Sequence, residues 1–312
     1  MRAATIVDGA IAVREHADPR PGVGELLVRV RAAGLNGADL HQRLGFYPAP
    51  PGSPPDIPGL EFAGEVLAAG EGVTRFDVGD RVMAVVGGGG QAELALVHER
   101  LAMPVPDGVG WPEAGGFPEV FTTAHDALFT QCGLGMGEHL LVHGAAGGVG
   151  TAGVQLGVAA GARVTATVRN ERLRADVAAL GADVLDTESW RERGPYDVVL
   201  ELVGGINMAA NLEALSTGGR IAVIGVGAGP VTELNLLTLM GHRARIHGST
   251  LRARPLEEKA VAARLVERHV LPLLADRRVR VPVDATFPLD RVEEAYERFS
   301  AGGKFGKVVV VL

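Results

Sequence analysis

A single cysteine, Cys132, is all that this 312-residue chain contains. No internal disulfide can form, so a bridged, secreted scaffold is excluded and a reducing compartment is expected. Aromatic residues make up only 4% of the chain, and the formal net charge is −7. A nucleic-acid binder would show a basic surface interleaved with aromatic side chains, and neither is present. No stretch approaches the roughly 18 consecutive apolar residues of a membrane span. The opening MRAATIVDGA lacks the basic-then-apolar order of a signal peptide. These absences lead to the expectation of a cytoplasmic protein without nucleic-acid or membrane partners.

What is abundant is glycine, at 44 residues, and apolar side chains, at 47%. The chain can bury a sizeable core and is long enough for two domains. Short β-prone runs at residues 26–30, 62–68, 81–86 and 92–97 are bounded by Gly, Pro and Asp. Between them the proline-rich residues 47–58 predict a surface loop, because proline cannot continue a central strand or a helix interior. This part reads as an antiparallel, barrel-like β domain. Near Trp111 the character changes, with a helical pattern over 112–128. Strands at 140–143, 163–168, 197–202 and 220–226 then alternate with helices at 150–160 and 172–180. That alternation predicts βαβ units and a parallel sheet. A long helix over 255–274 and a last strand over 306–312 complete the chain.

The most informative segment is LLVHGAAGGVGTAG at 140–153. An apolar strand runs into glycines, and these run into a helix of small residues. Residues Ala146, Gly147, Gly148, Val149 and Gly150 would let the main chain approach a pyrophosphate at a helix N-terminus, with Gly150 allowing the helix to pack on the strand. The spacing Gly144-x-x-Gly147-x-x-Gly150 departs from the usual G-x-G-x-x-G. The flanking strand and helix supply the context that favours a dinucleotide over a plain turn.

An NAD-binding version places an acidic residue about 20 residues past the glycines, where it holds the ribose hydroxyls. Here that place carries Arg169, within TVRNER at 167–172. A guanidinium pairs with a 2′-phosphate, which a carboxylate repels. The reading is NADPH, held by Arg169, with Arg172 either a second clamp or a solvated charge.

Five segments together resemble the quinone oxidoreductase (zeta-crystallin-like) branch of the zinc-free medium-chain dehydrogenases/reductases. They are AAGLNGADLHQRLGFYP (32–48), PGLEFAGEV (58–66), FPEVFTTA (117–124), HGAAGGVG (143–150) and GKFGKV (303–308). The resemblance implies an α/β protein. A GroES-like antiparallel β-barrel catalytic domain would be formed by residues 1–115 and 260–312, and a doubly wound Rossmann domain by 116–259, usually in a homodimer. Zinc-dependent relatives hold their metal with a cysteine and a histidine, and the corresponding positions here are Asn36 and Leu60. Neither supplies a thiolate or imidazole, and the four-cysteine structural lobe cannot form from Cys132 alone. No metal is expected.

The resemblance also implies roles for single residues. Asn36 would lie beside the nicotinamide, the alternative being an Asx turn after Gly34. Tyr47 would orient or protonate an acceptor oxygen, the alternative being packing on the loop prolines. Gly37 stands where several relatives carry a second tyrosine. Thr123, Gly225, Val226 and Lys304 would contact the cofactor. Cys132, with no acid or histidine nearby in sequence, reads as packing. Without a Lewis acid, an electron-poor acceptor is the easier substrate. The expected activity is therefore NADPH-dependent reduction of a small quinone. A conjugated ketone or thioester is the rival substrate, and a non-catalytic cofactor-binding or regulatory protein is the reading from a different class.

Overall fold

A computed structural model describes residues 1–312. The chain divides into two compact units, one formed by residues 1–122 and 251–312 and the other by 123–250. The expected boundaries, 115/116 and 259/260, fall a few residues away.

The first unit opens with a hairpin of β1 (Arg2–Val7) and β2 (Ala10–Glu15). Its two-residue turn has Asp8 at φ +50° and Gly9 at φ +79°. Asp-Gly is the pair that the favoured hairpin turn demands. The strands that follow are β3 (Glu25–Gly34), β4 (Glu61–Ala69), β5 (Arg81–Val85), β6 (Leu94–His98) and β7 (Ala102–Pro104). Helix α1 (Gly37–Arg43) comes between β3 and β4, and α2 (Trp111–Gly115) and α3 (Pro118–His125) follow β7.

Alternation along β3 turns Leu26, Val28 and Val30 inward, where they pack with Phe62, Val66 and Val82. The helical pattern expected over 112–128 is broken at Gly115 and Gly116. A Cβ on Gly115 would lie 2.6 Å from the Ala32 backbone, and Pro118 opens α3 without an N–H to continue the ladder of α2.

The second unit contains β8 (His139–Val142), α4 (Gly148–Ala159), β9 (Arg163–Thr167), α5 (Arg174–Ala178), β10 (Asp183–Leu185), β11 (Tyr196–Glu201), α6 (Gly205–Glu213), β12 (Leu215–Val223), α7 (Leu236–His242) and β13 (Arg245–Gly248). Its six strands are all parallel, in the order β10-β9-β8-β11-β12-β13. This is the doubly wound arrangement, whose order reverses between β8 and β11. Ligands of such sheets bind at that reversal, outside the carboxyl ends of the strands.

Small residues let α4 lie close to the sheet. A Cβ on Gly153 would come 2.5 Å from Leu200 Cδ2, and one on Gly157 would come 2.6 Å from Leu140 Cδ2.

The chain returns to the first unit through α8 (Leu256–His269), α9 (Leu271–Ala275), β14 (Val283–Pro288), α10 (Val292–Ser300) and β15 (Lys307–Val311). The single helix expected over 255–274 is two helices, parted at Val270. Pro272 occupies the first turn of α9 and has no N–H to continue the ladder. Ala260 of α8 joins the core of β3, β4 and β5, which places this segment in the first unit. The completed sheet has the order β14-β15-β3-β4-β5-β7, with β6 also paired to β3, and it is antiparallel except between β14 and β15.

Candidate active site

In the second unit the site forms where β8 gives way to α4. Gly144 adopts φ +65°, a conformation that glycine tolerates and L side chains rarely do. Gly147 caps α4 without help from any side chain, and the first donor inside the helix is the Thr151 N–H, bonded to the Gly147 carbonyl at 2.8 Å. The N–H groups of Gly148, Val149 and Gly150 thus have no helical acceptor, and the helix dipole adds positive potential there.

A Cβ on Gly150 would lie 2.4 Å from the Gly144 oxygen and 2.6 Å from Ala145 Cα. The glycine therefore serves the turn rather than the strand, a correction to the expected role. Ala146, Gly147, Gly148 and Val149 line the half-exposed rim. A dinucleotide diphosphate fits this cradle of orphan donors.

A buried network supports the rim. Glu201 ends β11 with a fully buried carboxylate. Its Oε1 accepts the N–H groups of Val203 at 2.6 Å and Gly204 at 2.9 Å, and its Oε2 accepts Asn211 Nδ2 at 2.7 Å. Asn211 Oδ1 lies 2.8 Å from His143 Nε2, and Thr167 Oγ1 lies 2.9 Å from His143 Nδ1. Every bond is satisfied if neutral His143 donates through Nε2 and accepts from Thr167. Burial lowers the imidazole's pKa and favours that neutral form. His143 is thus a hydrogen-bonded histidine.

Sequence reasoning passed over Glu201. Its signal was an acid closing the apolar run VVL of the strand YDVVLE.

Gly225 and Val226 follow β12. The Gly225 N–H donates to the Glu201 carbonyl at 3.1 Å, and a Cβ there would sit 2.4 Å from the Leu202 oxygen. Only glycine fits that approach. Val226 is 48% exposed. Arg169 projects into solvent just past β9 with no carboxylate partner, as does Arg172, whose backbone N–H is held by the Asn170 side chain at 3.2 Å. Thr123 is buried in α3. Cys132 is buried as well, which pushes its thiol up to about 11 and makes it a packing residue.

In the first unit Asn36 sits at the start of α1, 7% exposed. Its Oδ1 accepts from Lys307 Nζ at 2.6 Å, and its Nδ2 donates to Glu61 Oε1 at 2.9 Å and to the Gly34 carbonyl at 3.3 Å. Lys307 also donates to the Leu35 carbonyl at 2.7 Å and pairs with Glu61 Oε1 at 2.6 Å, so all three ammonium protons are used. Glu61 Oε2 accepts the Glu119 N–H at 2.8 Å.

Beside this cluster Asp39 is fully buried, accepting the N–H groups of Asn36 at 2.8 Å and Gly59 at 3.1 Å. Burial raises its pKa to about 6 against those bonds and the Lys307 charge. Both donor protons of the Asn36 amide are engaged.

Lys304 does not join the cluster. Its ammonium lies 4.0 Å from the centre of the Phe299 ring, and burial lowers its pKa. The lysine that reaches Asn36 is Lys307, three residues on. Its signal was a charge heading the apolar run KVVVV. Tyr47 is half-buried, and its hydroxyl makes no hydrogen bond within the protein.

Residues 22–107 match the alcohol dehydrogenase GroES-like domain, and residues 166–310 match the zinc-binding dehydrogenase family. The quinone oxidoreductase of Lama guanicoe is 33% identical over 94% of this chain and 91% of its own. The chain belongs to the medium-chain dehydrogenase/reductase superfamily. Another member, the chloroplast envelope quinone oxidoreductase homolog of Arabidopsis thaliana, is 34% identical over 97% of this chain and 95% of its own. Among solved structures, an alcohol dehydrogenase superfamily protein from Novosphingobium aromaticivorans superposes with a TM-score of 0.88 at 28% identity, covering 100% of this chain and 99% of that one. This medium-chain enzyme is an oxidoreductase of a family that works with a nicotinamide dinucleotide.

Proposed function

We propose that the chain is an NADPH-dependent quinone oxidoreductase that works without zinc. The observation that carries this reading is the Lys307 ammonium, saturated by Leu35, Asn36 and Glu61. A zinc ion does not fit such a donor set. Leu60 has no ligand atom, both donor protons of the Asn36 amide are engaged, and a second cation would be forced against the ammonium. With no Lewis acid to polarise a ketone or alcohol, the acceptor has to be electron-poor already, as a quinone is.

When bound, the reduced nicotinamide supplies the hydride. The orphan N–H groups of Gly148, Val149 and Gly150 hold the diphosphate. Arg169, assisted by Arg172, takes the 2′-phosphate, which a carboxylate at that place would repel. Thr123, Gly225 and Val226 serve the nicotinamide end. Asn36 lies beside the nicotinamide, and Tyr47 is the donor for the acceptor oxygen.

The enzyme is a homodimer in the cytoplasm on this reading. The outer edge of β13 is unpaired, and Val231, Leu236, Leu237 and Met240 are 86%, 66%, 77% and 70% exposed. Such an apolar edge is a site for association. Light scattering of the whole protein checks this.

The test of function is the initial rate of NADPH oxidation with 1,2- and 1,4-quinones beside conjugated enones and an enoyl thioester, repeated with NADH. Fast quinone turnover with NADPH supports the reading. Turnover confined to enones or thioesters replaces it with an enoyl reductase. Tight NADPH binding with no turnover replaces it with a non-catalytic role.

A further inference from the structure

Arg252 is a buried cation that hydrogen-bonds to no carboxylate. It is 3% exposed, yet its guanidinium meets only neutral acceptors. It donates from Nε to the Gly87 carbonyl at 2.7 Å, from Nη1 to the Tyr47 carbonyl at 2.8 Å, and from Nη2 to Gln42 Oε1. Desolvation of such a charge is costly and is repaid only by something negative or strongly polar. Its Cζ lies 5.0 Å from the centre of the Tyr47 ring.

Tyr47 is the counterpart of this irregularity. Of the three tyrosines, Tyr196 donates to the Trp190 carbonyl at 2.6 Å and Tyr296 donates to Gln91 Oε1 at 2.9 Å. The Tyr47 hydroxyl, half-buried on the 45–53 loop, has no partner. An unpartnered phenol thus lies against an unpaired guanidinium.

We infer that Arg252 is a positioning residue that fixes the Tyr47 turn and sets a positive charge against its ring, so that the phenol can deliver its proton to the anionic oxygen of a reduced acceptor. This rests on the proposed function. The acceptor takes a hydride, two electrons and a proton, from the reduced dinucleotide, which is oxidised. The acceptor oxygen, now negative, bonds to the proton as the Tyr47 O–H breaks, and the phenolate regains a proton from water. The guanidinium matches the transient phenolate charge. The substrate class is one whose reduction leaves charge on oxygen, a hydroquinone monoanion or an enolate.

Other charges face this pair. Burial raises the Tyr47 pKa most, Arg252 lowers it, and the Glu119 carboxylate raises it, while Asp39 faces Arg252.

The test is an ultraviolet titration of phenolate in the whole protein without substrate. Tyr196 is pushed up to about 12 and Tyr296 well above the usual range. The first phenolate therefore belongs to Tyr47, and its absence in Tyr47→Phe confirms the assignment. In Arg252→Met this step is expected to move up by at least about half a pH unit, about threefold in acidity. The alkaline limb of turnover should follow. If Arg252→Met does not fold, Arg252→Gln, which keeps donors toward the Gly87 and Tyr47 carbonyls, replaces it with the same expected shift. A step that stays in place in a folded variant overturns the inference even if quinones are reduced. A step that moves while every acceptor is silent upholds the Arg252–Tyr47 coupling and removes the proposed reaction instead.

Discussion

Lys307 Nζ lies 2.6 Å from Glu61 Oε1, and neither side chain is more than 3% exposed. Removing one partner strands the other charge in the interior. Lys307→Met is expected to cost ~3–5 kcal/mol, and Lys307→Met with Glu61→Leu less than that single change, because a neutral pair leaves no stranded ion. Urea unfolding of the three proteins checks the order. A double variant weaker than Lys307→Met would remove the ion pair as the reason for the loss.

Arg169→Asp places a carboxylate where the 2′-phosphate is expected. NADPH affinity should fall at least about tenfold, the equivalent of one ordinary charged contact, with NADH affinity kept or improved. Fluorescence titration with both cofactors decides it, and equal losses for the two would move the clamp elsewhere.

Gly150→Val is expected to abolish dinucleotide binding while leaving much of the fold. Its Cβ would lie 2.4 Å from the Gly144 oxygen, which belongs to the backbone and cannot yield cheaply. Calorimetric titration with NADPH reads the loss. Unaltered binding would mean that the loop relaxes freely.

Cys132 should resist alkylation. Burial pushes its thiol up to about 11, so at pH 7.5 almost none is thiolate. Mass spectrometry after iodoacetamide should find the native protein unlabelled and the urea-unfolded protein labelled.

The pKa of Asp39, raised from 3.8 to about 6 by burial, has a definite sign. The folded state holds the proton more tightly, so this stabilisation is present below pH 3.8 and lost as pH rises through 6. The stability of the wild type relative to Asp39→Asn should fall by ~2 kcal/mol between pH 4.5 and 7.5. Urea unfolding at the two values measures it, and a difference independent of pH would place the pKa near its ordinary value.

The parallel sheet was legible because β8, β9 and β11 are short apolar runs with glycine turns between them. The glycine turn between β8 and α4 was legible because glycine spacing reports backbone conformation directly. Helix breaks were harder to read. Pro118 and Pro272 stand at the two breaks, but a proline in the first turn of a helix also reads as part of a longer helical run. The site clusters were hidden for another reason. Lys307 meets Asn36 across 271 positions, and Arg252 meets Tyr47 across 205. Both are single charges in otherwise unremarkable contexts, and only the sheet and loops bring them to their partners. Lys304, expected at the cofactor by resemblance, lies over the Phe299 ring.

The glycine face of α4 has a further meaning for the evolution of cofactor choice. Gly150 is seated closer to the Gly144 and Ala145 backbone than a methyl group allows, whereas Gly153 and Gly157 face side-chain ends such as those of Leu200 and Leu140. It is therefore the first turn of the helix that, on the proposed reading, tolerates little change beside the diphosphate. The turn bearing Arg169 and Arg172 is exposed. On the proposed reading, drift between one dinucleotide and the other is channelled into that turn, where a substitution alters charge without disturbing the fold beneath it.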